Sequence, residues 1–280
     1  MLTVTYDKAQ DSNIKSTNIR EKNMFTLGYR HTVRIIIATL LFLFAFSPNI
    51  VVAESHNIEP AAKSLFKEMS HFLASKKQFS VHTDNSMEVV YLTGQKIQYN
   101  YAVKLLLSRP NKLRAERLGE DLDQVFYYDG KSLSLHSPVE NYFATMAAPA
   151  TVEEMLDFAR ESLDIVAPAG DLVYSNSYEL LMEDVISGFV VGKSTISGVR
   201  CTHLAFRNND VDWQIWIQDG EQPIPRKMVI TTTDVLDAPQ FTVEMSQWDF
   251  APNVDNKNFV FSPSDDMHQI EFISISDTKE

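Results

Sequence analysis

From Ile97 to Leu107 the chain alternates: Ile97, Tyr99, Tyr101, Val103, Leu105 and Leu107 fall on one side, with Gln98, Asn100 and Lys104 opposite. A strand turns successive side chains to opposite faces, so this period of two makes one apolar surface and one wetted surface. A strand so long and half-buried needs paired neighbours and a covered face. The same period recurs along much of the chain. Phe79, Val81 and His82 open a run that Met87, Val89 and Tyr91 continue, and Thr93-Gly94 supplies a turn. Arg109-Pro110-Asn111-Lys112 reads as a turn by composition, followed by strands at Leu113–Leu118 and Gln124–Tyr128. Asp129-Gly130 is a hairpin signal, and 131–136 returns as the partner strand.

A second set of strands follows at 185–191, 193–196 and 201–207, with Gly192 and Gly198 at turns. Val211, Trp213, Ile215 and Ile217 share a face, with Asp212, Gln214 and Trp216 opposite. Asp219-Gly220 turns the chain toward a strand at 227–233. Phe241, Val243 and Met245 form another apolar face, and Trp248, Phe250, Phe259 and Phe261 close the regular part.

Helical spacing appears in two places. Residues 58–75 carry Pro60 in the first turn and apolar Ala61, Leu65, Met69 and Phe72 or Leu73. The stretch 142–152 is rich in Ala, Met and Pro and carries no strand assignment. Thr151 with Glu154 three residues on is a capping box, heading a helix whose apolar face is Met155, Phe158, Ala159 and Leu163. A further helix is expected over 172–182. Ten or eleven strands joined by short turns favour antiparallel neighbours, and a sheet that size curls. The expected fold class is mainly β (α+β): an unclosed antiparallel β-barrel with an N-terminal helix and a helical lid insert.

The N-terminal 53 residues differ in kind. Arg30 and Arg34 flank an apolar run from Ile35 to Phe46, Pro48 and Asn49 break it, and Val51-Val52-Ala53 follows. Positive flank, short apolar core and small-residue end make a cleavable export signal. The alternative is an N-terminal membrane anchor, since the mostly apolar stretch running on to Ala53 nears the length of a span. No Cys follows the run to accept a lipid. Met24 would begin a signal of ordinary proportions. The expected organisation is residues 1–53 as N-terminal extension and signal, and 54–280 as a single domain, with no linker or fixed-period repeat.

The whole chain has a net charge of −12. Residues 1–53 hold six Lys/Arg and three acidic residues; removing them leaves 19 basic against 34 acidic, a net of −15. Such a surface repels phosphate backbones, which excludes nucleic acid as a partner. The one cysteine, Cys201, permits no intramolecular disulfide and reads as a small buried hydrophobe.

The order of segments resembles a known group. The opening helix, Leu107-Ser108-Arg109-Pro110-Asn111-Lys112-Leu113-Arg114, Tyr128-Asp129-Gly130-Lys131-Ser132-Leu133, and the close at Asp249-Phe250 and Phe259-Val260-Phe261-Ser262-Pro263 resemble periplasmic carriers of the LolA/LolB type. Asn141-Tyr142-Phe143-Ala144-Thr145 and the helix start at Thr151 are similar to the DUF2092 family of predicted periplasmic proteins. The resemblance covers most of residues 55–265. It implies a half-barrel with a helical lid holding a lipid or a lipoprotein's acyl chain, periplasmic localisation, and a membrane-bound donor or acceptor protein. It assigns no functional arginine among Arg109, Arg114 and Arg117.

No catalytic constellation is visible. There is no G-x-S-x-G elbow, H-E-x-x-H pair or glycine-rich phosphate loop, and His82, His136 and His203 lie apart on expected strands. The reading is therefore a non-enzyme without cofactor or metal: a carrier or chaperone for an apolar ligand. The alternative is a sensor or protein-interaction module of the same fold. The residues expected to line the cavity are Tyr99, Tyr101, Val103, Leu105, Trp213, Ile215, Met228 and Val243. A one-residue slip in register would turn all of them outward.

Overall fold

The computed structural model describes residues 57–120 and 122–273, so the expected export signal lies outside the described residues. The chain enters through β1 (Asn57–Ile58) and α1 (Pro60–Ala74). A meander of six strands follows: β2 (Gln78–Val90), β3 (Lys96–Ser108), β4 (Lys112–Gly119), β5 (Gln124–Tyr128), β6 (Ser132–Ser137) and β7 (Tyr142–Ala147). A helical insert comes next, made of α2 (Val152–Leu163), a 3-10 turn at Gly170–Val173 and α3 (Ser177–Met182). The second meander is β8 (Ser187–Ile196), β9 (Val199–Arg207), β10 (Val211–Gln218), β11 (Pro225–Thr232) and β12 (Gln240–Asp249). The two-residue β13 (His268–Gln269) completes the sheet.

These strands form one 13-stranded sheet in the order β1-β8-β9-β10-β11-β12-β2-β3-β4-β5-β6-β7-β13. Its long neighbours are all antiparallel; only the two-residue edge strands pair in parallel, β1 with β8 and β13 with β7. The order does not close on itself. The fold is thus the expected one, a mainly β, unclosed antiparallel barrel with an N-terminal helix and a helical insert between its edges.

Register places the apolar residues on one inner face. Leu204, Ile215, Met228, Val243, Asn85 and Tyr101 lie on one row across the sheet, and Phe206, Trp213, Ile230, Phe241, Met87 and Tyr99 on the next. α1 packs on the β8–β10 part of this face through Ala62, Phe66, Met69 and Leu73. That stripe is displaced from the expected one: Ala61 is exposed, and Leu65 and Phe72 are only half-buried. Phe66 meets the Trp213 ring edge-on at 5.2 Å and Phe206 at 5.6 Å, while Phe206 stacks on Trp213 at 4.3 Å. Each buried aromatic contributes roughly 1.5–3 kcal/mol of transfer free energy. The C-terminal segment crosses the other, outer face, where Phe261 packs on Tyr127, His136 and Phe143.

Three local expectations change. Tyr142–Ala147 is a strand: its Tyr, Ala and Met alternate inward, a pattern masked by weak β formers. The segments either side of Gly192 are one strand, and Gly192 marks a register shift beside Val190, with φ +147°, instead of a turn. The helix expected over 172–182 is broken, because Tyr174 is extended and separates the 3-10 turn from α3.

At Gly188 the backbone lies close against the Phe206 ring. A Cβ there would lie 2.4 Å from Phe206 Cδ1, and Phe206 is held by Trp213 and Phe66. Gly188→Val should cost about 1–3 kcal/mol by overpacking. Urea unfolding monitored by tryptophan fluorescence reads this directly; an unshifted midpoint would mean that the aromatic cluster yields.

Candidate functional site at the open end of the inner face

All eight residues expected to line a cavity face the same way, but they divide into two environments. Trp213, Ile215, Met228 and Val243 are buried at 0–3% exposure and belong to the sealed core. Tyr99, Tyr101, Val103 and Leu105 on β3 are half-exposed. Tyr101 and Leu105 touch the core, as do Met87, Ala115 and Phe126 beside them. The inner face is therefore plugged over β8–β12 and incompletely covered over β2–β6.

Composition changes along that uncovered part. Beside the β3–β4 turn, the row Phe79, Leu107, Leu113, Tyr128 and Leu133 is apolar and buried. The next row is Val81, Leu105, Ala115, Phe126 and Leu135, mostly half-buried. Beyond it stand Thr83, Val103, Arg117 and Gln124, then Asn85 and Tyr101. Asn85 Nδ2 donates to Thr83 Oγ1 at 2.8 Å and to the Tyr101 carbonyl at 3.2 Å. The Arg117 guanidinium lies over the Tyr101 ring at 4.5 Å and donates to the Leu122 carbonyl at 3.3 Å. The Tyr91 and Tyr99 hydroxyls share a 2.5 Å hydrogen bond at the far end. The inward placement of Arg117 was available from sequence, since alternation from Leu113 through Ala115 reaches it.

The insert is fastened at the opposite, apolar end. The Val152 amide donates to the Pro110 carbonyl at 2.9 Å, and the Tyr128 hydroxyl to the Pro149 carbonyl at 2.5 Å. Arg109 pairs with Glu153 at 3.1 Å and also donates to the Val173 carbonyl, so one side chain holds both α2 and the 3-10 turn. Thr151 and Glu154 form the expected capping box. Within the insert, Arg160 pairs with Asp157 at 3.0 Å and with the buried Asp171 at 3.5 Å, and the Tyr174 hydroxyl donates to Asp157 at 2.8 Å. Burial lowers the Arg109 pKa while Glu153 opposes the shift; burial also raises Asp171, with Arg160 opposing. Burial, reinforced by Glu154 and Asp129, pushes the Tyr128 hydroxyl up to about 12.

A depression of about 600 Å³ opens across β12, β2, β3 and β4, and Asn85 and Tyr101 are among the residues that line it. Asp84, Ser86, Asn100, Leu118, Glu120 and Glu244 contribute to its wall. Glu244 is engaged there by Lys227 at 3.0 Å. Among the described residues no group of His, Cys, Asp and Glu could hold a metal ion. His203 stacks on Trp216 at 4.0 Å and bonds Gln214, as a packed strand histidine does. Cys201 is free and buried, and burial raises its thiol pKa, so it is no thiolate nucleophile.

Two outcomes test the fastening. Arg109→Met takes the charged donor from Glu153, which keeps only the Ser175 amide at 3.2 Å, and removes the side-chain donor from the Val173 carbonyl, at about 1–3 kcal/mol of local stability. Hydrogen exchange should quicken in residues 152–182 and stay unchanged in β9–β11; uniform quickening would show that Arg109 supports the whole sheet. The Tyr128 pKa is raised, so its contribution is complete below pH 10 and is lost as pH climbs from 10 to about 12. Tyr128→Phe should flatten that part of the alkaline unfolding curve; an unchanged curve would assign it to other groups.

No curated relative matches the chain. Solved structures that resemble it include an uncharacterised conserved protein of Thermus thermophilus, at 8% identity and TM-score 0.44, covering 75% of this chain and 99% of that one. A LolA superfamily protein from Nitrosomonas europaea aligns at 11% identity and TM-score 0.36, covering 71% and 97%. MucB, in the MucA/MucB complex of Pseudomonas aeruginosa, aligns at 11% identity and TM-score 0.38, covering 72% and 61%. No helix among the described residues is long and apolar enough to cross a membrane. The model of a family described as predicted periplasmic protein (DUF2092) matches residues 62–273, most of the length, and the chain belongs to that family.

Proposed function

We propose that the chain is a periplasmic carrier or chaperone, a single domain from residue 54 to 280, that holds a lipid or a lipoprotein's acyl chain on the inner face. The observation carrying this reading is the unequal covering of that face. α1 seals the β8–β10 side, whereas Tyr99, Tyr101, Val103 and Leu105 remain half-exposed beside Met87 and Phe126. An apolar strand face left open in this way gains about 25 cal/mol for each Å² of ligand surface it shields. Of the eight residues expected from sequence, the four on β3 are the proposed ligand contacts. Trp213, Ile215, Met228 and Val243 belong to the buried core and are not proposed as contacts. Release to a membrane-bound acceptor requires that the insert or the acceptor compete for the same surface.

A second reading, an interaction module for a partner protein, is favoured by the edge of β8. β1 pairs only with Ser187 and Gly188, and the Glu59 carboxylate accepts from the Val190 amide. Past that point no strand among the described residues pairs with this edge. An extended segment of another chain could add there by strand augmentation.

The exported protein, purified from the periplasm without detergent, should show a bound lipid or acylated peptide in native mass spectrometry. Leu105→Glu should abolish that extra mass while far-ultraviolet circular dichroism is retained. A ligand-free wild-type protein that takes up no added lipid, yet forms a stable protein complex, would replace the carrier reading with the second.

A further inference from the structure

The register of the sheet gathers five connections at one end: β2–β3 (residues 91–95), β4–β5 (120–123), β6–β7 (138–141), β9–β10 (208–210) and β11–β12 (233–239). Large apolar side chains stand at three of these tips: Tyr91 with Leu92, Val139, and Val235 with Leu236. Leu92 is 91% exposed, Leu236 77% and Val139 71%. Every charged residue in the five connections is acidic, among them Glu120, Glu140, Asp210, Asp234 and Asp237, and no Lys, Arg or His occurs in any of them. The turns at the opposite end differ on both counts. Among the described residues they expose no large apolar side chain, and their charges are mixed, with Lys76, Lys77 and Lys131 beside Asp129 and Glu221. We propose that the acidic end docks a protein partner whose own surface is basic around apolar pockets, with Leu92 and Leu236 as the anchoring side chains.

A single exposed apolar side chain is ordinary, but several gathered at one end of a molecule mark an interaction surface. The frame beneath them is ordered. β12 pairs with β2 only as far as Met87, and β4 with β3 only as far as Tyr101, so the β2–β3 hairpin overhangs both neighbours and carries Leu92 beyond them. In its tip the Gly94 amide donates to the Tyr91 carbonyl at 2.8 Å, and the Tyr91 hydroxyl is bonded to that of Tyr99. The Thr233 amide donates to the Asp210 carbonyl at 2.8 Å, and the Gln240 amide to the Glu88 carboxylate at 2.9 Å, which ties three of the connections together. Tips ordered in advance lose little conformational freedom on docking. Charge then decides the class of partner. A membrane surface bearing anionic lipid repels acidic loops, and segments that lie on such surfaces set Lys or Arg around their apolar residues. The cations in the flanking strands are engaged within the protein: Lys96 pairs with Glu88 at 3.1 Å, Arg207 with Asp212 at 2.6 Å, and Arg117 donates to the Leu122 carbonyl at 3.3 Å. The acidic rim is therefore complementary to the Lys and Arg of a protein, while Leu92 and Leu236 supply the apolar burial that fixes the contact. None of the four proposed lipid contacts on β3 belongs to this surface, so the inference stands apart from the carrier reading.

The test places photoreactive benzoylphenylalanine at Leu92, at Leu236 or, as a control on the opposite end, at Lys131 of the full protein exported in its native host. Irradiation should give the same protein adduct at Leu92 and Leu236 and none at Lys131. The partner identified from that adduct, once purified, should bind wild type with an affinity that falls about tenfold or more from low to high salt. Leu92→Ser combined with Leu236→Ser should weaken binding about tenfold or more. Asp234→Asn combined with Asp237→Asn should weaken it and flatten the salt dependence. Circular dichroism and the bound-lipid content read by native mass spectrometry should match wild type in both variants. Salt-independent affinity, or an acidic contact surface on the partner, overturns the charge assignment. Flotation of wild type with phosphatidylglycerol or phosphatidylcholine vesicles, lost in the double Ser variant, would reassign the tips to a bilayer and overturn the protein partner. No protein adduct, or equal adducts at all three positions, overturns the inference outright. Absence of bound lipid in wild type would remove the carrier reading and leave this surface standing.

Discussion

Seven residue pairs, from Phe241 opposite Met87 to Asp249 opposite Ser80, join β12 to β2 and turn two meanders into one sheet. Every other long pairing is between strands adjacent in sequence. This seam is the non-local contact on which the inner face depends. It aligns Val243 with Asn85 and Met245 with Thr83, so that the rows of β8–β12 continue across β2–β7. A shift of one residue here would turn one meander's apolar face outward against the other's. Closing so long a loop is entropically slow, and each half alone exposes a wide apolar surface. The register shift between Ser246 and Asp249 lies at the end of the seam, where the chain leaves the sheet.

The same seam explains where the helices lie. β1 pairs with β8 at one edge, and β2 starts in the middle of the sheet, so α1 must run from edge to middle across the second meander. The insert leaves β7 at one edge and must deliver the chain to β8 at the other. Both connections cross the inner face, but only α1 brings a full stripe of large side chains to it. α2 starts beside the β3–β4 turn, where the Val152 amide donates to the Pro110 carbonyl, and buries Val152, Met155 and Ala159. Topology thus seals one half of the face and leaves the end of the other half open.

Much of this was legible because the strands obey simple alternation and the turns obey simple chemistry. Ile97–Leu107 reads as one alternating strand, Asp129-Gly130 marks the hairpin between β5 and β6, and Thr151 with Glu154 marks the helix start. That residues such as Tyr99, Tyr101, Val103 and Leu105 share a face followed from the same period, but which face turns inward did not. What was not legible depends on contacts distant in sequence. Nothing in Phe66, Phe206 or Trp213 announces that they meet, and their meeting makes Trp213 and Ile215 core instead of cavity wall. Gly192 reads as a turn because a glycine between two short runs is the usual turn pattern, and only pairing with His203 reveals a continuous strand. Arg109 looks like any turn residue until Glu153, forty-four positions away, is placed beside it.

Two arginines on this sheet show how environment divides labour between like side chains. Arg109, at the β3–β4 turn, has a side chain only 13% exposed and is met by a carboxylate and a backbone carbonyl of the insert. Its burial would be unfavourable without those partners, so it reports on the insert: the helices and the guanidinium are stable in place only together. Arg117 lies inward at the other end of β4, half-buried against a tyrosine ring in a face otherwise apolar or neutral. On the carrier reading the two positions are complementary. A ligand that occupies β3 leaves the Arg109 contacts with the insert untouched, so cargo can enter at the polar end without the insert detaching. The price of that access is an apolar strand face incompletely protected from water, which an apolar ligand would cover.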